Sequence, residues 1–262
     1  MKIIPKKKLG QNFLVDKNVI EKIVSTKNIQ NFNILEIGPG TGNLTTSILN
    51  KNPKKLIVVE KDKDLCALID KKFNDEIIIF NEDVLKFDIR EYFSEKFIVF
   101  GNLPYNISTE IICNWILSMG NDVWFTDLIL MFQKEVADRI IARNNTSNYG
   151  RISIISNWKM DIKKILDVSP NCFFPRPKVD STVLHFTLKD KFYSFKKSKN
   201  LEKISRIFFN QRRKMIKNPM RQLFTNYKEI AESLKLDLNL RPQNLELDTY
   251  YKLTKEYEKL RS

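Results

Sequence analysis

The sequence predicts an α/β protein in which helices flank a mostly parallel sheet that ends in one antiparallel strand, followed by a small all-helical C-terminal domain. Three observations lead there. Apolar runs of strand length alternate with helical stretches through the first half of the chain. A glycine-rich turn, Gly38-Pro39-Gly40-Thr41-Gly42, directly follows the first of those runs. Beyond Lys189 the pattern changes to amphipathic helical spacing, so domains are expected over 1–189 and 190–262.

Taken in order, residues 16–24 place Val19, Ile20, Ile23 and Val24 at helical spacing, which predicts a helix before the first strand. Strands are expected at 33–37, 55–60, 76–80, 97–101 and 127–132, with helices at 43–49, 63–73, 109–118 and 133–143 between them. Two later β-like runs, 160–168 and 179–188, are joined by a proline-rich loop with no helix long enough for a crossover, so they should pair antiparallel. In the tail, 201–217 reads as one amphipathic helix with Ile204, Ile207, Phe208 and Met215 on its apolar face. Further helices are expected near 220–226, 227–234 and 249–260.

Composition narrows the function classes. A hydrophobic content of 42% supports a packed core rather than disorder. Cys66, Cys113 and Cys172 are odd in number and show no paired spacing, as expected of ordinary thiols in a reducing compartment. The single histidine, His185, lies in an alternating run and reads as a strand residue, so neither zinc catalysis nor a Ser-His-Asp triad is supported. The first eight residues are basic with no apolar segment behind them, unlike a secretory signal. No run reaches the ~18 apolar residues of a membrane span. A cytoplasmic, monomeric protein is the simplest expectation. Residues 187–262 carry 19 Lys and Arg against 9 Asp and Glu, whereas the first 186 carry 26 against 22. A basic tail behind a nearly balanced front points to a polyanion, most simply nucleic acid.

The chemistry-bearing residues sit at successive strand ends. The turn 38–42 lets the backbone approach a ligand at the carboxyl edge of the sheet. Glu60 ends the next strand, where a carboxylate accepts from both ribose hydroxyls, and Asp83 follows the third, placed to accept from an adenine amino group. The spacing is G-x-G-x-G, not the G-x-G-x-x-G of a nicotinamide dinucleotide site, and no P-loop pattern occurs. Glu36, two residues before the first glycine, favours S-adenosylmethionine, whose methionine part it can meet.

The fourth strand runs into Asn102-Leu103-Pro104-Tyr105. An exocyclic adenine amine is a weak nucleophile because its lone pair is delocalised into the ring. Two acceptors, Asn102 Oδ1 and the Leu103 carbonyl, can orient its hydrogens and aim the lone pair at a methyl donor. Pro104 biases Leu103 toward an extended conformation and fixes that carbonyl. Tyr105 offers a stacking face and Phe173 a second, each worth roughly 1–3 kcal/mol. The remaining acceleration would come from alignment, with no charged catalyst. No metal site is expected.

Four segments then carry a resemblance: Leu9-Gly10-Gln11-Asn12-Phe13-Leu14, Glu36 to Gly42, Gly101 to Ser108, and Phe173 to Ser181. In this order they resemble the ribosomal RNA adenine dimethyltransferases, nearest the bacterial small-subunit branch. The resemblance implies a Rossmann-like S-adenosylmethionine-dependent methyltransferase fold. It also implies formation of N6,N6-dimethyladenosine at two adjacent adenosines near the 3′ end of 16S rRNA, within an immature small subunit. It places Asn12 and Leu14 against the cofactor, with Gly38, Gly40, Glu60, Asp83 and Asn102 completing the site. Phe209 to Lys214 also resembles this branch, so Arg212, Arg213 and Lys214 are expected to face RNA. Two alternatives share much of the pattern: a large-subunit rRNA adenine methyltransferase conferring macrolide-type resistance, and an assembly factor acting mainly by binding. A dehydrogenase on a similar sheet is more distant.

Overall fold

A computed structural model describes residues 5–120 and 123–261. Residues 1–4 of the basic N-terminal segment lie outside the described residues. The chain forms two compact units, one of residues 1–112, 119–137 and 162–188, the other of residues 113–118, 138–161 and 189–262.

In the first unit a two-residue strand, β1 (Phe13–Leu14), precedes α1 (Lys17–Val24). Asp16 starts that helix by accepting from the backbone N–H groups of Asn18 and Val19 at 2.9 and 3.0 Å, a cap worth ~1 kcal/mol. Ile20, Ile23 and Val24 are its buried stripe, and the helix packs against α2 (Asn43–Leu49), which follows β2 (Asn33–Ile37). Next come β3 (Lys55–Val59), α3 (Lys63–Phe73) and β4 (Ile78–Phe80). β5 (Phe97–Asn102) leads into α4 (Ser108–Ser118), and β6 (Phe125–Gln133) into α5 (Lys134–Ile140). After α6 (Arg151–Lys159) come β7 (Met160–Val168), the two-residue β8 (Phe173–Phe174) and β9 (Ser181–Leu188).

Seven strands form one sheet in the order β4-β3-β2-β5-β6-β9-β7. The pairs from β4 to β6 are parallel and β9 runs antiparallel to β6. Beyond its first residue each of β2 and β3 is buried along its length, as expected of a parallel sheet covered on both faces. The chain proceeds outward from β2 through β3 to β4, then returns to β5 on the other side of β2. That reversal opens a crevice at the carboxyl ends of β2 and β5, the usual place for a ligand in such a sheet. β7 lies beside β9 at the far edge, so the two late runs are neighbours as expected. β1 and β8 form a separate antiparallel pair, Phe13 opposite Phe174 and Leu14 opposite Phe173.

The second unit is mostly helical: α6, α7 (Lys199–Phe209), α8 (Lys217–Leu223), α9 (Tyr227–Ser233) and α10 (Leu247–Lys259). α6, α7 and α10 pack together. Tyr251 donates to the Ile154 carbonyl at 3.0 Å, and Phe208 meets Tyr250 edge to face with ring centroids 5.5 Å apart. The Glu258 carboxylate accepts from the backbone N–H groups of Lys196 and Lys197 and from Asn200 Nδ2, each at 3.0 Å. Those bonds tie α10 to the chain just ahead of α7 and to the first turn of that helix.

The single helix expected over 201–217 is corrected to two. α7 stops at Phe209, and 210–216 forms turns before α8. Backbone N–H groups of Ile216 and Lys217 leave helical pairing and donate to the carbonyls of Leu240 and Leu238. Met215, assigned to the apolar face, is 54% exposed, while Ile216 is fully buried in its place.

Candidate active site

One pocket occupies the crevice at the carboxyl ends of β2, β3 and β5 in the first unit. Its walls include Asn12, Leu14, Gly38, Gly40, Glu60 and Asp83. Asn102, Leu103, Pro104 and Tyr105 complete them. The structure therefore brings together every sequence-predicted cofactor residue and the whole Asn-Leu-Pro-Tyr segment.

The glycine turn is shaped by its close neighbours. Gly40 has φ +57°, and a Cβ there would stand 2.7 Å from Phe13 Cδ1, a distance no side chain tolerates. Gly42 has φ +76°, and its Cβ would meet the Phe73 ring at 2.6 Å. From α3, Lys72 Nζ reaches over to donate to the Thr41 and Gly42 carbonyls at 3.2 and 3.1 Å. Positive backbone conformation, an aromatic wall and a lysine hold this turn open toward the pocket.

Two carboxylates lie deep in it. Glu36 is 1% exposed, and its Oε2 has no hydrogen-bond partner. Burial pushes its carboxyl up to about 8. Glu60 is buried at the end of β3, and its Oε1 accepts from the Asp62 backbone N–H at 2.8 Å. Burial raises that carboxyl too, opposed by the backbone N–H groups of Asp62 and Gly40. Asp83 is held differently: Lys61 Nζ donates to it at 2.7 Å and the Leu85 N–H at 3.1 Å, and the lysine pairing keeps its carboxyl below the ordinary range.

At the end of β5, Asn102 Nδ2 donates to the Asn12 carbonyl at 2.8 Å. The amide is thereby fixed with its nitrogen used and its oxygen left as an acceptor. The Leu103 side chain tucks inward, 1% exposed, over Gly101, where a Cβ would stand 2.9 Å from Leu103 Cδ2. The half-buried Tyr105 ring is anchored by a 2.6 Å hydrogen bond between its hydroxyl and Ser181 Oγ. Burial raises the Tyr105 phenol, so it stays neutral. Asn102, Leu103 and Tyr105 thus line the pocket beside the glycine turn.

The chain matches the model of the family described as ribosomal RNA adenine dimethylase over residues 5–259. It belongs to that family. A relative from Pelagibacter ubique, "Ribosomal RNA small subunit methyltransferase A", is 62% identical over 98% of each chain. One of the same name from Mycoplasma mobile is 38% identical over 94% of this chain and 95% of its own. Among solved structures, a dimethyladenosine transferase from Plasmodium falciparum superposes with a TM-score of 0.79 at 26% identity, covering 94% of this chain and 98% of its own. The 23S rRNA methyltransferase ErmE shares the fold, with a TM-score of 0.70 at 20% identity over 94% of this chain and 99% of its own.

For this family member, two sequence-predicted placements are corrected. Phe173 does not line the pocket; it is 4% exposed, in the core beside its register partner Leu14. Because alternate strand residues face opposite ways, its neighbour Phe174 turns outward and is 62% exposed. Phe173 therefore stands behind the wall that Leu14 forms, and it would have to change rotamer to meet a base. In the second unit Arg213 and Lys214 are exposed, but Arg212 is tied inward. Its guanidinium donates to Gln243 Oε1 at 3.2 Å and to the carbonyls of Thr146 (3.2 Å) and Ser147. His185 is a structural residue, hydrogen-bonded to Asp127 at 2.8 Å. Sequence reasoning missed Ser181 as the anchor of Tyr105 and missed the bonds that hold the N-terminal segment down. Ser181 closes the Phe173–Ser181 motif, but nothing in that motif announces its partner.

The acceptors lining the pocket fit S-adenosylmethionine. The unpartnered Glu36 oxygen calls for a cationic or N–H-bearing group, which the methionine part carries. Glu60 retains acceptor capacity for ribose hydroxyls.

Proposed function

We propose that this chain methylates N6 of two adjacent adenosines near the 3′ end of small-subunit rRNA, each twice, with S-adenosylmethionine as donor, during maturation of the small subunit in the cytoplasm. The observation that carries the reading is the clamped Asn102 amide beside the Leu103 carbonyl, at the mouth of a glycine-turn pocket. The 62% identity to a relative named for small-subunit methylation supports the choice of RNA.

When bound, S-adenosylmethionine supplies an electrophilic methyl group on a positively charged sulfur. The chain's own residues do the rest. Glu60 accepts from the ribose, Asp83 from the adenine amino group of the cofactor, and Glu36 faces the methionine end. Asn12 and Leu14 close the pocket from the N-terminal side. In the first transfer Asn102 Oδ1 and the Leu103 carbonyl accept the two hydrogens of the target amine and turn its lone pair out of conjugation. In the second, one of them holds the single hydrogen that remains, and each incoming methyl displaces one amine proton to water. Tyr105 stacks on the base, and Phe173 backs the wall from behind Leu14. Because the acceptors are fixed before the substrate arrives, their contribution is alignment. Arg213 and Lys214 contact rRNA phosphates, and the protein works as a monomer.

Incubating the protein and labelled S-adenosylmethionine with immature small subunits, and separately with large subunits, tests the reading. Digestion to nucleosides should yield labelled dimethyladenosine from small subunits alone. Label confined to large-subunit RNA, or none in either, overturns it.

A further inference from the structure

The segment ahead of β1 is held by one acidic residue that the proposed chemistry does not use. Asp62 follows Glu60 by two positions, caps α3 through the Asp64 N–H at 3.1 Å and is 4% exposed. Its Oδ1 accepts from Lys6 Nζ at 2.5 Å and its Oδ2 from Gln11 Nε2 at 2.8 Å. Gln11 in turn accepts from the Lys6 backbone N–H at 2.7 Å through Oε1, which closes a small ring of hydrogen bonds. Lys6 also reaches Asp64 at 2.7 Å. The next residue along, Asn12, offers the carbonyl that fixes Asn102. On its other side, the Asp62 backbone N–H holds the Glu60 carboxylate.

We infer that Asp62 is a positioning residue that clasps residues 6–12 against the pocket and couples the ribose acceptor Glu60 to the catalytic amide of Asn102. The coupling runs through three bonded steps: Glu60 to the Asp62 backbone, the Asp62 carboxylate to Gln11, and Asn12 to Asn102. Burial alone would raise the Asp62 carboxyl, but hydrogen bonds from Lys6 and Gln11 outweigh it and hold the group below its ordinary value. The carboxylate therefore stays ionised, and the clasp closed, through the neutral range. An exposed ion pair alone contributes little, yet here one oxygen pair that is out of water receives three donors, which is the stronger case.

This inference rests on the methyltransferase reading, and the experiment separates the two. Lys6→Met/Gln11→Leu removes both donors to the clasp and leaves Asp62, its helix cap and its bond to Glu60 in place. The KM for S-adenosylmethionine should rise about tenfold, the effect of losing roughly one charge-assisted hydrogen bond, with a smaller fall in kcat and a lowered Tm, since the buried Asp62 carboxylate loses two of its three donors. Lys6→Arg, which keeps the ion pair, should return KM to within about twofold of the parent by the same energetic scale. Direct titration with S-adenosylhomocysteine should show the same loss, and trypsin should cut the N-terminal segment faster in the double variant. Glu60→Ala serves as the control that must weaken cofactor binding if the pocket is correctly assigned. A parent protein that binds no cofactor defeats the methyltransferase reading itself. A parent that binds, with a double variant of unchanged KM and unchanged cleavage, defeats the clasp alone. Equal loss in Lys6→Arg and the double variant also defeats it.

Discussion

Two short segments, Asn102 to Tyr105 and Arg212 to Lys214, are both expected to meet the same RNA, yet they are built in opposite ways. In the first, the side chains that matter are held by another residue: Asn102 by Asn12, Leu103 over Gly101, Tyr105 by Ser181. In the second, only Arg212 is tied, half-buried and bonded to two carbonyls and Gln243, while Arg213 and Lys214 are exposed. The difference follows from what each must do. Orienting an amine for attack requires acceptors fixed in advance, since a small misplacement removes most of the rate. Neutralising phosphates requires charge and reach, and a mobile lysine serves as well as a rigid one.

Breaking the fixed segment should give the largest effect. Asn102→Ala removes both the acceptor and the tie to Asn12, and kcat should fall about 10²–10³-fold, by analogy with loss of one preorganised polar group at a reacting centre. Circular dichroism should show the fold retained. A loss below about tenfold would mean that the Leu103 carbonyl alone orients the amine.

A second test concerns charge inside the pocket. Burial raises the Glu36 carboxyl to about 8, so in the cofactor-free protein it is mostly protonated at pH 7. A cationic ligand at its unpartnered oxygen favours the ionised form, so binding should release a proton. Affinity for S-adenosylmethionine should then strengthen from about pH 6 to about 8 and level off above, and Glu36→Gln should flatten that slope. The sign for stability is opposite: a raised folded-state value favours folding at low pH, so the cofactor-free protein should lose stability as pH rises through about 8. Calorimetry in buffers of different ionisation enthalpy counts the proton directly, and a count of zero in the parent rules this role out.

The smallest effect should come from the loose segment and would sharpen the comparison most. Arg213→Ala/Lys214→Ala should weaken RNA binding and lower the salt slope by ~1 for each phosphate no longer neutralised, with Tm unchanged. Arg212→Ala should instead lower Tm and leave the salt slope nearly intact, because its donors are spent on acceptors within its own unit. If Arg212 changes the salt slope as much as the other two, its inward ties open when RNA binds.

Legibility in the sequence tracks how local the physics is. β2, the turn 38–42 and the strand ends at Glu60 and Asp83 are readable because an apolar run followed by glycines or a carboxylate carries its own signal. α6 escapes sequence reasoning for a definable reason: Ser153, Ser156 and Lys159 are buried together with Ile154, Ile155 and Trp158, so no polar face marks the period. The helix expected over 201–217 is too long because its break depends on carbonyls of Leu238 and Leu240, far along the chain. β1 and β8 are two residues each, too short for any alternation to show. For the same reason no pattern distinguishes Phe173 from Phe174; a one-residue choice of register decides which ring turns inward. The bond from Gln11 to Asp62 spans 51 positions and is invisible without the fold.

The pairing of β1 with β8 has a consequence for synthesis. Residues 11–14 leave the ribosome before the groups they pair with, which emerge in sequence: Asp62, then Asn102, and last Phe173 and Phe174. A nascent chain that has delivered the glycine turn and Asn102 still lacks the strand that pins Leu14 in place. The pocket is therefore finished only after Phe173 and Phe174 are out, and Phe13 and Leu14 wait longest for their seat.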